Sequence, residues 1–178
     1  MRKLFSRLSF LMLLICLCSS VTVLAQETVV YVVRHAEKAT TDPSDRNPQL
    51  SNEGKERAQE LNKVLKNEKF AGIFSTNYHR TRQTAAPTAE RLGLEVAVYP
   101  PADFNSLATR IKSDFSGKSV LVVGHSNTVL EIVEALGAKR PLPELSEEDY
   151  DYLFKVRINE EGTAEVSTMN LGKKTRKG

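Results

Sequence analysis

Three observations predict an α/β fold, a three-layer α/β/α sandwich built around a mainly parallel central sheet. Two nearly continuous apolar runs, Thr28–Val33 and Ser119–Val123, have the β-branched pattern of strands buried on both faces. Strand-like runs alternate with segments of helical apolar spacing, an alternation that builds a parallel sheet covered on both sides. At 40% hydrophobic and 26% charged residues over a length of 178, the composition is that of an ordinary globular protein and excludes disorder and a polytopic membrane protein.

Taken in order, residues 1–25 have the pattern of a secretory signal. Arg2, Lys3 and Arg7 precede an apolar run over Phe10–Cys18, and Val23 and Ala25 supply small residues for cleavage before Gln26. The run is shorter than the roughly 20 residues a bilayer requires. The expectation is therefore export to the periplasm or exterior, with no stable membrane insertion after cleavage. Cleavage changes the charge argument. The full chain has 25 Lys plus Arg against 22 Asp plus Glu, but the signal holds three of the cations and none of the acids. The remainder is neutral, which removes the basic balance that nucleic-acid binding would call for. Cys16 and Cys18 leave with the signal, so a thiol nucleophile, a thiolate metal site and a redox function are excluded.

The working domain is expected over 26–172. Ser51 is placed to cap a helix whose stripe is Ala58, Leu61, Val64 and Leu65. Phe70–Ser75 predicts a strand, followed by a helix from Arg80 to Leu92 with Gly93 as its C-cap and Pro87 as a possible kink. Glu95–Tyr99 predicts a third strand, and Phe104–Phe115 a helix. Ser119–Val123 runs through Gly124-His125 into a helix ending near Gly137. Pro141–Asp151, with two prolines and five acids, is expected to be a surface loop. Tyr152–Asn159 and Thr163–Met169 predict two strands joined at a Glu160-Glu161-Gly162 hairpin. Residues 173–178 form a basic tail, expected to be a solvated end.

In such folds ligands bind beyond the carboxyl ends of the strands. Both strongly buried strands end in a histidine, His35 and His125, and the chain has only one other, His79. Arg34 adjoins His35, and Arg80 opens a helix, where backbone N–H groups and the dipole favour an anion. Planar guanidinium groups bind phosphoryl oxygens in pairs. Thr84 lies four residues after Arg80, on the same helix face, where its hydroxyl can orient the pocket. Two arginines, two histidines and a helix N-terminus thus converge on one phosphoryl dianion.

Four motifs in order carry a family resemblance: Val33-Arg34-His35-Ala36-Glu37-Lys38, Leu50-Ser51-Asn52-Glu53-Gly54-Lys55-Glu56-Arg57-Ala58, Thr76-Asn77-Tyr78-His79-Arg80-Thr81-Arg82-Gln83-Thr84-Ala85, and Val122-Val123-Gly124-His125-Ser126. Together they resemble the Arg-His, Leu-Thr-x-x-Gly-x-x-Arg-Ala, Ser-x-x-x-Arg-x-x-x-Thr-Ala and Gly-His elements of the histidine phosphatase superfamily, with its phosphoglycerate mutase-like fold. The resemblance implies that His35 is the nucleophile that becomes phosphorylated. It implies that Arg34, Arg80 and His125 hold the phosphoryl oxygens, and that neither metal nor cofactor is needed. Many members carry a Glu acid after the third strand. Here Asp103 is the matching carboxylate, and it reads equally as the leaving-group acid or as the cap of the next helix. Another branch places an Asp after the second histidine. Ser126 stands there, and its hydroxyl cannot serve as that acid. With Thr84 and His79 it is read as a substrate-side residue.

The same resemblance implies a phosphatase acting on a small phosphorylated substrate or a phosphoprotein. Phosphomutase action and non-catalytic phosphate-ligand binding on the same fold are the alternatives. Short connections favour hydrolysis, since they leave water free to reach His35. Lys38 and Arg82 are read as solvated cations, Asp42 and Asp45 as members of a loop near the pocket, and Asn127 as a helix start. A metal site from His35, His79 and His125 is disfavoured because two of these fit the phosphoryl pocket. Gly117-Lys118-Ser119 lacks the upstream glycine of a P-loop and precedes a strand, so it is rejected.

Overall fold

A computed structural model describes residues 26–172 of the chain; the secretory-signal expectation for 1–25 and the basic tail at 173–178 lie outside the described residues. The elements in order are β1 (Thr28–Arg34), α1 (Asn52–Val64), β2 (Phe70–Ser75), α2 (His79–Leu92), β3 (Val96–Val98), α3 (Phe104–Asp114), β4 (Ser119–Gly124), α4 (Val129–Ala135), β5 (Tyr152–Ile158) and β6 (Ala164–Asn170). One sheet has the order β3-β2-β4-β1-β5-β6. β1 pairs parallel with β4, and β2 parallel with β4 and β3. The fold is the predicted α/β sandwich, with β5 and β6 added antiparallel at one side.

Strand alternation makes the three layers. Val30, Val32, Val120 and Val122 pack on Leu107 and Ile111 of α3 and Ile132 and Val133 of α4. Their neighbours Tyr31, Val33, Leu121 and Val123 point the other way, onto Leu61 of α1 and Ala85 and Ala89 of α2. Burial of each Val, Leu or Ile among these contributes ~1.5–3 kcal/mol relative to exposure. Both faces of β1 and β4 are covered, which is why their sequences show no polar alternation.

Local signals set several boundaries. Ser51 caps α1, its Oγ accepting from the Gly54 N–H at 3.1 Å. Gly93 closes α2 in the left-handed region at φ 63°, a conformation that costs glycine no Cβ clash. α2 runs unbroken through Pro87. The hairpin between β5 and β6 turns at Gly162, φ 83°. Among the described residues no helix is long and apolar enough to cross a membrane.

The antiparallel entry of β5 matters for the site. Leu153 lies opposite Val33, so the connection preceding Tyr152 arrives at the carboxyl end of β1. A parallel β5 would deliver that connection to the other end of the sheet. The long segment between α4 and β5 therefore overlies the same edge as the loop after β1.

Candidate active site

β1 and β4 end in register, with Arg34 opposite Gly124, and the His35 N–H donates to the Gly124 carbonyl at 2.9 Å. His35 and His125 consequently leave adjacent strands side by side, their ring centroids 5.4 Å apart in an edge-on arrangement. Both rings are almost fully buried.

The two rings are held differently. His35 Nδ1 lies 2.8 Å from the Ala36 carbonyl, which can only accept, so Nδ1 carries the hydrogen and Nε2 keeps its lone pair. The segment after His35 is fixed from two sides. The Ala36 N–H donates to Thr84 Oγ1 at 2.9 Å, and that hydroxyl donates to the Arg80 carbonyl at 2.7 Å. On the other side α1 presses against Glu37. A Cβ on Gly54 would sit 2.1 Å from the Glu37 carbonyl oxygen, and Arg57 grips the Glu37 carboxylate through Nε and Nη2 at 2.7–2.9 Å. This is the structural content of the Leu50–Ala58 motif.

His125 Nε2 lies 2.9 Å from Thr76 Oγ1, which is 2.9 Å from Thr81 Oγ1. Thr81 Oγ1 in turn lies 3.0 Å from the carbonyls of Thr76 and Tyr78. Each hydroxyl has one hydrogen. When Thr81 donates to a carbonyl, Thr76 donates to Thr81, and His125 Nε2–H donates to Thr76. In that arrangement protonation adds a second donor at Nδ1 without disturbing the chain.

The arginines stand over these rings, each stacked on a tyrosine: Arg34 on Tyr150 at 4.1 Å and Arg80 on Tyr78 at 4.4 Å. Tyr78 also meets the His125 ring edge-on at 5.2 Å. Arg34, only 3% exposed, is anchored by the connection before β5. Its Nη1 donates to the carbonyls of Ser146, Glu147 and Asp149 at 2.8, 3.1 and 3.3 Å, and its Nη2 pairs with Glu147 Oε2 at 3.1 Å. The Nε–H groups of both arginines are buried without a hydrogen-bond partner among the described residues.

Burial pushes the His35 pKa down to about 3; the bond to Ala36 opposes this, and Arg34, Arg80 and His125 add to it. Burial, then Arg80 and Arg34, hold His125 down at about 4. Burial also lowers Arg80, against the charges of Tyr78, Tyr150 and Asp45. Two neutral imidazoles beside one buried and one half-buried guanidinium group form a site with net positive charge, a nucleophilic nitrogen and unpaired donors. Such a site binds a dianion and can attack it.

The structure brings His35, Arg34, Arg80 and His125 together. It places Thr84 behind the pocket, 1% exposed, with its hydroxyl committed to two backbone groups; it orients the residue after His35 and does not reach substrate. Ser126 lies at the rim, its Oγ 3.3 Å from Glu147 Oε1. His79 is exposed at the start of α2, its backbone N–H donating to Asn47 Oδ1. Asp103 precedes α3, exposed and making no side-chain capping bond. Among the described residues no three His, Cys, Asp or Glu side chains are grouped as a metal would require. Sequence reasoning missed Tyr78, Tyr150, Thr81 and Glu147. Tyr78 and Thr81 flank Arg80 in the chain, whereas Tyr150 and Glu147 become visible only once β5 is known to run antiparallel to β1.

Residues 30–101 match the family model described as histidine phosphatase superfamily, branch 1. No curated protein matches the chain. It is similar to the solved structure of the protein histidine phosphatase SixA complexed with tungstate, at 20% identity and a TM-score of 0.67, covering 80% of this chain and 96% of that one. A mycobacterial glucosyl-3-phosphoglycerate phosphatase with VO3 is similar at 15% identity and TM-score 0.62, covering 81% and 99%. A phosphoglycerate mutase from Bacillus anthracis is similar at 17% identity and TM-score 0.61, covering 82% and 93%. At these identities the likeness is one of fold.

Proposed function

We propose that the chain is a member of the histidine phosphatase superfamily, whose model residues 30–101 match, and that it is a metal-independent phosphatase working through a phosphohistidine on His35. The observation that carries this reading is the His35 tautomer: Nδ1–H bound to the Ala36 carbonyl leaves Nε2 unprotonated, beneath two arginines. Nε2 attacks phosphorus, the P–N bond forms as the ester P–O bond breaks, and the electron pair leaves on the ester oxygen. Arg34 and Arg80 hold the other oxygens, and the bound dianion favours protonation of His125, whose Nδ1–H then joins them while Nε2–H stays on Thr76; transfer is governed by positioning and charge. Asp103 gives the leaving oxygen its proton. Water then attacks phosphorus, its O–P bond forming as the P–N bond to His35 breaks; the water proton returns to the Asp103 carboxylate and inorganic phosphate leaves. Substrates are small phosphorylated molecules or phosphoproteins. The mature protein is exported, on the strength of the Arg2–Ala25 pattern.

The test is hydrolysis of p-nitrophenyl phosphate by the mature protein with and without a chelator, beside His35→Ala. The reading expects phosphate release unaffected by chelator and abolished in the variant. Binding of phosphate compounds without turnover would instead favour a regulatory domain, and intramolecular phosphoryl transfer on a phosphoglycerate without release would favour a mutase. Export is checked by fractionation and by a mature N-terminus at Gln26.

A further inference from the structure

The phosphoryl pocket holds an anion of its own. Arg34 has five N–H groups. Nη1 is taken by three loop carbonyls, so the fork left for a phosphoryl group is the Nε–Nη2 side. Nε is buried and unpartnered, and Nη2 is paired with Glu147 Oε2 at 3.1 Å. The other carboxylate oxygen of Glu147 lies 3.3 Å from Ser126 Oγ, at the rim of the pocket. The Glu147 side chain is 77% exposed, while His35 beneath is 5% exposed. A phosphoryl group attacked from the floor by His35 presents its ester substituent to solvent, on the side where Glu147 stands.

A dianion that bridges Nε and Nη2 competes for Nη2, whose two N–H groups serve Glu147 Oε2 at 3.1 Å and Tyr150 OH at 3.4 Å, and it leaves that carboxylate beside a dianion with its cation shared or lost. Two like charges at this distance oppose binding unless a positive group replaces Arg34 as the partner of Glu147. A substrate with a second anion near its phosphoryl group adds repulsion. One with an ammonium group there restores the pair. Asp45, in the loop after β1, has a charge that acts on Arg80 and adds to the same polarity.

We propose that Glu147 is a specificity-determining residue that exchanges its ion pair with Arg34 for one with the substrate, so that this pocket selects phosphate monoesters carrying an ammonium group on the alkyl chain next to the phosphoryl group. The inference rests on the phosphatase reading for the identity of the pocket and deepens it to a substrate class.

The test compares phosphocholine with 3,3-dimethylbutyl phosphate, its uncharged isostere, so that shape is matched and one charge differs. Affinity is measured by calorimetry at low salt on the full chain carrying His35→Ala, which cannot turn either compound over, and on the same chain with Glu147→Gln added. Glu147 is exposed, so its substitution leaves the fold in place. The expected result is a preference for phosphocholine of roughly fivefold, the size of an exposed ion pair, falling to about one in the Glu147→Gln chain. Equal affinities in the parent, or a preference that survives Glu147→Gln, would overturn the proposal. Hydrolysis by the chain with His35 intact is read separately. Turnover without charge preference sinks this inference alone, whereas charge-selective binding without turnover sinks the phosphatase reading alone. A Glu147→Gln chain with His35 intact that loses hydrolysis equally on both compounds also overturns it, since that is the signature of a proton donor.

Discussion

The two arginines of the pocket stack on tyrosines in the same way, yet they are held by opposite means. Arg34 is a structural joint as well as the proposed phosphoryl ligand: its Nη1 gathers three carbonyls of the 146–149 segment, and Glu147 pairs with its Nη2. Arg80 rests on Tyr78, with no side-chain hydrogen bond to it among the described residues, and partial burial disfavours its half-buried guanidinium as a cation. One half of the pocket is therefore tied to the fold, and the other is held ready for a ligand. A site that must bind a dianion and then release phosphate gains from having one fixed and one underused cation.

Substitutions separate the two halves. Arg34→Ala and Arg80→Ala are each expected to cost about 10²–10³-fold in kcat/KM through loss of a charged phosphoryl contact. Only Arg34→Ala should also destabilise the protein, by about 2 kcal/mol or more, because it strips donors from three loop carbonyls. Thermal melts of both variants check this, and equal losses of Tm would erase the distinction. Asp103→Asn comes next. It should slow alkyl phosphates by about 10²-fold and activated aryl phosphates far less, a contrast that steady-state rates on the two ester types measure directly. Thr76→Val, which keeps shape and removes the hydroxyl facing His125 Nε2, should lower kcat roughly tenfold. An unchanged kcat would detach the threonine pair from His125 function.

The pH response is read on stability and not on rate. His35 and His125 titrate near 3 and 4 in the folded protein against an ordinary 6.5, so the unfolded chain takes up their protons first as pH falls. Stability from these groups is present in full above about 6.5 and is lost as pH drops through that value toward 4. Comparing Tm at neutral pH and near pH 4 should show a smaller drop in His125→Asn than in the wild type.

The contrast between the arginines also marks what could be read from the chain. β1, β4 and the two strand-end histidines were legible because both faces of those strands are covered and the apolar runs say so. Ser51, Gly93 and Gly162 were legible because caps and turns are local chemistry. Arg80 was predicted at a helix N-terminus, and its tyrosine lies two residues away. The partners of Arg34 lie 112–116 residues along the chain, and their arrival depends on the direction of β5, which no local signal encodes. Thr84 was placed correctly on the Arg80 face, but spacing could not reveal that its hydroxyl turns inward to the backbone of Ala36 and Arg80. Pro87 has the look of a helix breaker in sequence, yet α2 passes through it.

The most direct measurement is the capture of the covalent intermediate. The protein is mixed with a phosphate monoester labelled on phosphorus, quenched in alkaline denaturant that preserves phosphohistidine, and the labelled peptide is identified by mass spectrometry. The predicted result is one phosphoryl group on His35, absent from His35→Ala, which also fails to hydrolyse the ester. Label on any other residue, or hydrolysis that persists in His35→Ala, would contradict the account.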